Sequence, residues 1–192
     1  MRRNRIASKI VPKDALWFVI AIWVIFLIDA LLIGVNFNGL GIRPRRLYGL
    51  TGIFFSPFLH ANLYHILSNT IPLLVLGFML NLSVGPKQLR IIMILGAIGS
   101  GIGVWFFGAS GITIGASGLV FALIGFLFFD AYFNPSLRSW LFAVLSFFAY
   151  GSTLLSLARF LPSISWAAHF WGFVSGIFLA YALSKWRKKQ RT

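Results

Sequence analysis

Apolar residues run along this chain in blocks about the length of a membrane-crossing helix, separated by short polar interruptions. A helix needs roughly 20 apolar residues to span a bilayer. Six blocks meet or approach that length: Ala15–Val35, Tyr64–Leu82, Gln88–Phe107, Ile114–Phe133, Ser139–Leu157 and Ser165–Ser184. The pattern predicts an all-α polytopic membrane protein, with residues 1–192 forming one domain. The first block follows Arg2, Arg3 and Arg5 as a signal peptide would. It is longer than a cleavable core of roughly 7–15 residues, so it reads as an uncleaved first span. Only one connection, Asn36–Leu63, is long. It mixes Gly39, Gly41, Pro44 and Pro57 with apolar Ile53, Phe54, Phe55, Phe58 and Leu59. That is too apolar for a solvated linker, and it is expected to fold against the membrane interface.

Composition agrees. Only 10% of residues are charged, against roughly 25% in a soluble domain. The net charge of +14 invites a nucleic-acid reading, but the basic residues sit at span ends and no basic module lies outside the spans. Thirteen Lys and Arg fall on the side of both termini (Arg2, Arg3, Arg5, Lys9, Lys13, Lys87, Arg90, Arg138, Lys185, Arg187, Lys188, Lys189, Arg191). Four fall on the other (Arg43, Arg45, Arg46, Arg159). The positive-inside rule then puts both termini in the cytoplasm. The absence of cysteine excludes disulfides, thiol catalysis and cysteine metal sites.

Polar groups inside the apolar blocks carry the chemistry, because ionisable groups at bilayer depth are costly and tend to be functional. Ser117 opens the fourth block within Gly115-Ala116-Ser117-Gly118, and His169 lies in the sixth. His65 and Asn69, four residues apart, share one face of the second block. Counted from the cytoplasmic ends at Asp130, Asn81 and Lys185, Ser117, Asn69 and His169 lie roughly 20, 18 and 24 Å deep in a core about 30 Å thick. They converge on one level. Gly-Ala-Ser-Gly also occurs at 108–111, but Ser110 falls roughly 30 Å from Asp130, at the outer surface.

A serine hydroxyl needs a neighbouring base to become a nucleophile, and histidine is suited to that near neutral pH. The anionic tetrahedral intermediate needs preorganised donors. Free N–H groups at the start of the fourth helix, the Asn69 amide and the His65 imidazole are candidates, with Gly115, Ala116 and Gly118 leaving room for a substrate backbone. Of the three carboxyls, Asp14 and Asp130 sit at cytoplasmic ends and Asp29 towards the outer side. A Ser–His dyad therefore fits better than a triad. Each signal has a plainer reading: small residues pack helices closely in membranes, as Gly96, Gly99, Gly103, Gly172 and Gly176 would, and tryptophans anchor at interfaces.

These residues resemble the rhomboid family of intramembrane serine proteases. Its pattern of two histidines and an asparagine is met by His60, His65 and Asn69 in His60-Ala61-Asn62-Leu63-Tyr64-His65-Ile66-Leu67-Ser68-Asn69. The nucleophile motif is met at Gly115–Gly118, with Gly125 following, and the last-helix motif by Ala168-His169-Phe170-Trp171-Gly172, with Gly176 following. The resemblance implies a six-helix bundle with a cavity open to the outer side. Ser117 would be the nucleophile, His169 the base and then the acid, and His65 with Asn69 would hold the oxyanion. Phe121 stands where many members have a tyrosine packing on the histidine ring. Thr51-Gly52 stands where many carry Trp-Arg in the first loop. His60 is expected to make a structural loop contact. The implied activity is cleavage of membrane-anchored proteins in or near their transmembrane segments, in a bacterial inner membrane, with no cofactor or metal. A non-catalytic relative that binds membrane proteins for quality control is the alternative. Metal or proton transport through the three histidines is a third reading, disfavoured by the lack of charged residues deep in several spans.

Overall fold

The computed structural model describes residues 11–32, 36–154 and 165–190. Arg2, Arg3, Arg5, Lys9, Arg159 and Arg191, with the expected span ends at 33–35 and 155–157, lie outside the described residues. Six long helices follow in order: α1 Lys13–Leu31, α2 Leu63–Val84, α3 Pro86–Phe107, α4 Ser117–Phe133, α5 Leu137–Leu154 and α6 Trp166–Lys189. Of these, α1, α2, α3 and α6 are long and apolar enough to cross a membrane. The 17 residues of α4 rise only about 25 Å.

Helix α4 starts three residues later than the apolar pattern predicts. Thr113 forms an isolated antiparallel bridge with Ile42, and the Gly115 N–H donates to the Ser56 carbonyl at 2.8 Å. Those contacts keep residues 113–116 out of the helix, and Gly115 turns the chain with φ +111°. α6 runs five residues past its expected end, because a helix need not stop where its apolar face gives way to Lys185–Lys189.

Helix α4 is the centre of the bundle, buried on nearly all faces, with α3, α6, α2 and α5 around it. Its closest partner is α6, because the glycines remove the side chains that would hold the two backbones apart. A Cβ at Gly172 would strike the Gly118 carbonyl, one at Gly176 the Ala122 carbonyl, and one at Gly125 the Phe173 carbonyl. Gly96, Gly99 and Gly103 do the same for α3, against Ala122, Ser175 and Trp171. At the end carrying Asp130, the buried carboxylate accepts from Asn134 Nδ2 at 2.8 Å, Arg187 Nη1 at 3.3 Å and Ser83 Oγ at 3.4 Å. That joins α2, α4 and α6.

The long first connection is folded, as its composition predicts. It contains turns of 3₁₀ helix at Phe37–Leu40, Leu47–Gly49 and Ser56–Phe58 and one α-helical turn at Gly52–Phe55. Ile42, Ile53 and Leu59 point inward while Leu47, Tyr48, Phe54 and Phe55 are exposed. Asp29 holds its start, accepting from the Phe37 N–H at 2.7 Å and Asn38 Nδ2 at 3.4 Å. In place of a Trp-Arg pair, Arg45 donates from Nη1 to the carbonyls of Phe106 (3.2 Å) and Gly108 (2.9 Å). Trp105 Nε1 donates to the Arg46 carbonyl at 3.0 Å. The loop is therefore tied to the end of α3. Trp105 and Trp171 belong to internal packing rather than to an interface anchor, whereas Trp17, Trp140 and Trp186 are exposed.

Candidate active site

The site forms where the start of α4 meets α2 and α6. Ser117 is the first residue of α4 and is half-buried. The first N–H groups of a helix have no partner within it, and those of Ser117, Gly118 and Leu119 begin this one. Negative charge is favoured at such an end. Ser110, in the earlier copy of the tetrapeptide, is exposed in the loop before α4.

His169 enters from the first turn of α6, which Ser165 caps by accepting the Ala168 N–H at 3.3 Å. The imidazole is buried and lies flat on the Phe121 ring, with centroids 4.1 Å apart and planes 13° apart. Phe121 is one helical turn after Ser117, on the same face. Helical side chains lean towards the N-terminus of their own helix, so this ring, and the imidazole stacked on it, cover the turn that carries Ser117. The structure thus sets His169 against Phe121, one turn along α4 from Ser117.

The second helix supplies the opposite wall. A Cβ added to Gly115 would collide with the His65 imidazole at Nε2 and lie 2.7 Å from Cε1, so that ring sits directly on the turn before Ser117. Asn62 caps α2, its side chain accepting from the His65 N–H at 2.9 Å. Asn69 is buried, and its Nδ2 donates to the His65 carbonyl at 2.8 Å, leaving the second amide hydrogen for another acceptor. His60 packs edge-on against His65, with centroids 5.0 Å apart and planes at 65°. Burial, with His65 alongside, pushes the His60 ring down to about 4, against a smaller opposing pull from the Phe58 carbonyl. It is neutral at physiological pH.

The expected room beside Gly115, Ala116 and Gly118 needs correction, since the His65 ring already fills the space at Gly115. Gly118 does not leave room for a substrate backbone: a Cβ there would strike Ser100 Oγ and lie 3.2 Å from the Ala168 carbonyl, so its bareness admits α3 and α6. Ala116 is fully buried and equally closed to a substrate. Ser100, which donates to the Ala168 carbonyl at 2.9 Å and so steadies the turn before His169, escaped the sequence reading, as did Ser56. Ser100 lies in the register of the glycine stripe on α3, and its polarity there was the available signal. Among the described residues, no group of three His, Cys, Asp or Glu is arranged to hold a metal ion.

Comparison with known proteins gives the same answer as the motifs. A family model described as Rhomboid domain matches residues 47–186. An uncharacterized protein of Mycobacterium tuberculosis is 37% identical over 185 residues, covering 92% of this chain and 76% of its own. An uncharacterized protein of Mycobacterium leprae is 36% identical over 186 residues, covering 92% and 72%. RHOMBOID-like protein 1 of Arabidopsis thaliana is 27% identical over 129 residues, covering 67% of this chain and 33% of its own.

Proposed function

The chain belongs to the rhomboid family and is an integral membrane protein, and from that premise we propose that it is a serine endopeptidase that cleaves membrane-anchored proteins in or near their transmembrane segments. In this reading all six long helices cross the bilayer, both termini are cytoplasmic and the membrane is the inner membrane of a bacterium. The excess of basic residues on one side and the mycobacterial relatives support that assignment.

Ser117 Oγ attacks the scissile carbonyl while His169 accepts the hydroxyl proton. The oxyanion forms between the His65 ring, the free Asn69 amide hydrogen and the N–H groups at the start of α4. Collapse of the intermediate breaks the C–N bond, and His169 passes its proton to the leaving amine. Water then enters, gives a proton to His169 and releases the acyl group as a carboxylate, restoring the serine. None of the three carboxylates is needed: Asp29 holds the first loop, Asp130 joins the far ends of the helices, and Asp14 pairs with Arg90 at 2.7 Å.

The observation that carries this reading is the stack of His169 on Phe121, one turn from Ser117, with His65 against Gly115 on the other side. Substrates whose segments unwind readily near the outer boundary are expected, since a peptide bond in a helix is shielded until its hydrogen bonds open. A fluorophosphonate probe is expected to label the purified protein and not Ser117→Ala, and single-span substrates are expected to be cut only by the former. Equal labelling of both proteins would remove Ser117 from the mechanism.

A further inference from the structure

An apolar groove of about 480 Å³ runs between α1 and α3, beside the first loop. Trp17 and Phe18 form one wall, Ile94 the other, Leu119 of α4 the floor, and Ile53 and Pro57 of the first loop close its far end. Trp17 and Ile94 are exposed, so the groove opens on the helix surface that faces lipid. At its other end stand Asp14 and Arg90, paired through Nε at 2.7 Å, with the Arg90 side chain two-thirds exposed. Lys13 precedes Asp14, and Lys87 lies one turn before Arg90; both are exposed. The helix ends at the mouth thus carry three cations, Lys13, Lys87 and Arg90, and one carboxylate, Asp14.

Lining and charge select the occupant. From Arg90 to Ile98 the groove follows α3 for about 12 Å, a length and an apolar lining suited to a hydrocarbon chain. The lining is almost wholly apolar, while the mouth carries a net positive charge that the Asp14–Arg90 pair leaves available through the remaining guanidinium N–H groups and the two lysines. Basic clusters between helices on the cytoplasmic side attract anionic lipid headgroups.

We propose that this groove binds one acyl chain of an anionic phospholipid, with the phosphate held by Lys87 and Arg90. The site is separate from the dyad and does not depend on proteolysis. Its floor residue, Leu119, is two residues beyond Ser117, and its end wall, Pro57, adjoins Ser56, whose carbonyl fixes Gly115. An occupied groove therefore supports the turn that presents the serine.

Native mass spectrometry of the purified chain with equimolar phosphatidylglycerol and phosphatidylcholine tests this. A single phosphatidylglycerol adduct is expected to dominate, and Ser117→Ala is expected to carry it equally. Each basic residue near a charged headgroup is worth about fivefold in affinity, so Lys87→Gln should lose that factor of preference with the Asp14–Arg90 pair intact. Arg90→Gln should lose a similar factor. Ala97→Phe, which narrows the groove, should lower the adduct with both lipids. Equal binding of the two lipids, or an unchanged preference in Lys87→Gln, overturns the headgroup assignment. An adduct that survives in a folded Ala97→Phe overturns the groove.

Discussion

Phe121→Leu separates the stacking of the proposed base from the packing around it. The Phe121 ring is 1% exposed and lies parallel to His169 at 4.1 Å, so leucine keeps an apolar, buried side chain but removes the flat face. Ring pairs of this kind contribute about 0.5–1.5 kcal/mol beyond the area they bury. If the whole of that term serves to hold the imidazole over the first turn of α4, its loss raises the barrier by the same amount. At 1.36 kcal/mol per tenfold, the rate falls about 2- to 13-fold. The assay is the second-order rate of fluorophosphonate labelling, compared with cleavage of a single-span substrate and with thermal unfolding in the same detergent. Phe121→Tyr keeps the ring and is expected to retain the labelling rate, which distinguishes a stacking role from tolerance of any change at this position. Wild-type labelling by a folded Phe121→Leu protein would refute the reasoning.

Three further outcomes are expected. Gly172→Ala places a methyl group against the Gly118 carbonyl and should cost about 1–3 kcal/mol by overpacking, seen as a lower unfolding temperature, whereas Gly39→Ala, with open space around it, should not. Arg45→Ala removes two charge-assisted hydrogen bonds to the end of α3 and should raise hydrogen exchange across residues 42–58 before it alters global unfolding. The neutral ring of His60 predicts a pH effect. An unfolded histidine takes up a proton below about 6.5, and the folded one only near 4, so stability is full above about 6.5 and falls by up to about 3 kcal/mol as pH drops to 4. His60→Phe should flatten that slope in unfolding measured across pH 4–7, and an unchanged slope would remove His60 as its source.

Much of this protein was legible before any coordinates. Apolar blocks of one length, cut by short basic turns, leave helices as the only way to satisfy backbone groups in lipid. The cost of burying Ser117, His169, His65 and Asn69 singled them out, and helical rise put them at one depth. Rise along an axis does not report rotation about it, however, nor which helix lies beside which. Only the packed bundle stacks His169 on Phe121, sets His65 against Gly115 and ties the first loop through Arg45 and Trp105 rather than at Thr51-Gly52. The glycines show the same division. Their presence was plain in the chain, but whether a missing side chain admits a substrate or another helix depends on what faces it, and at Gly118 the neighbours are Ser100 and Ala168. Depth and residue type are properties of a single helix, set by local sequence; direction and proximity belong to several helices packed together, and the folded molecule alone decides them.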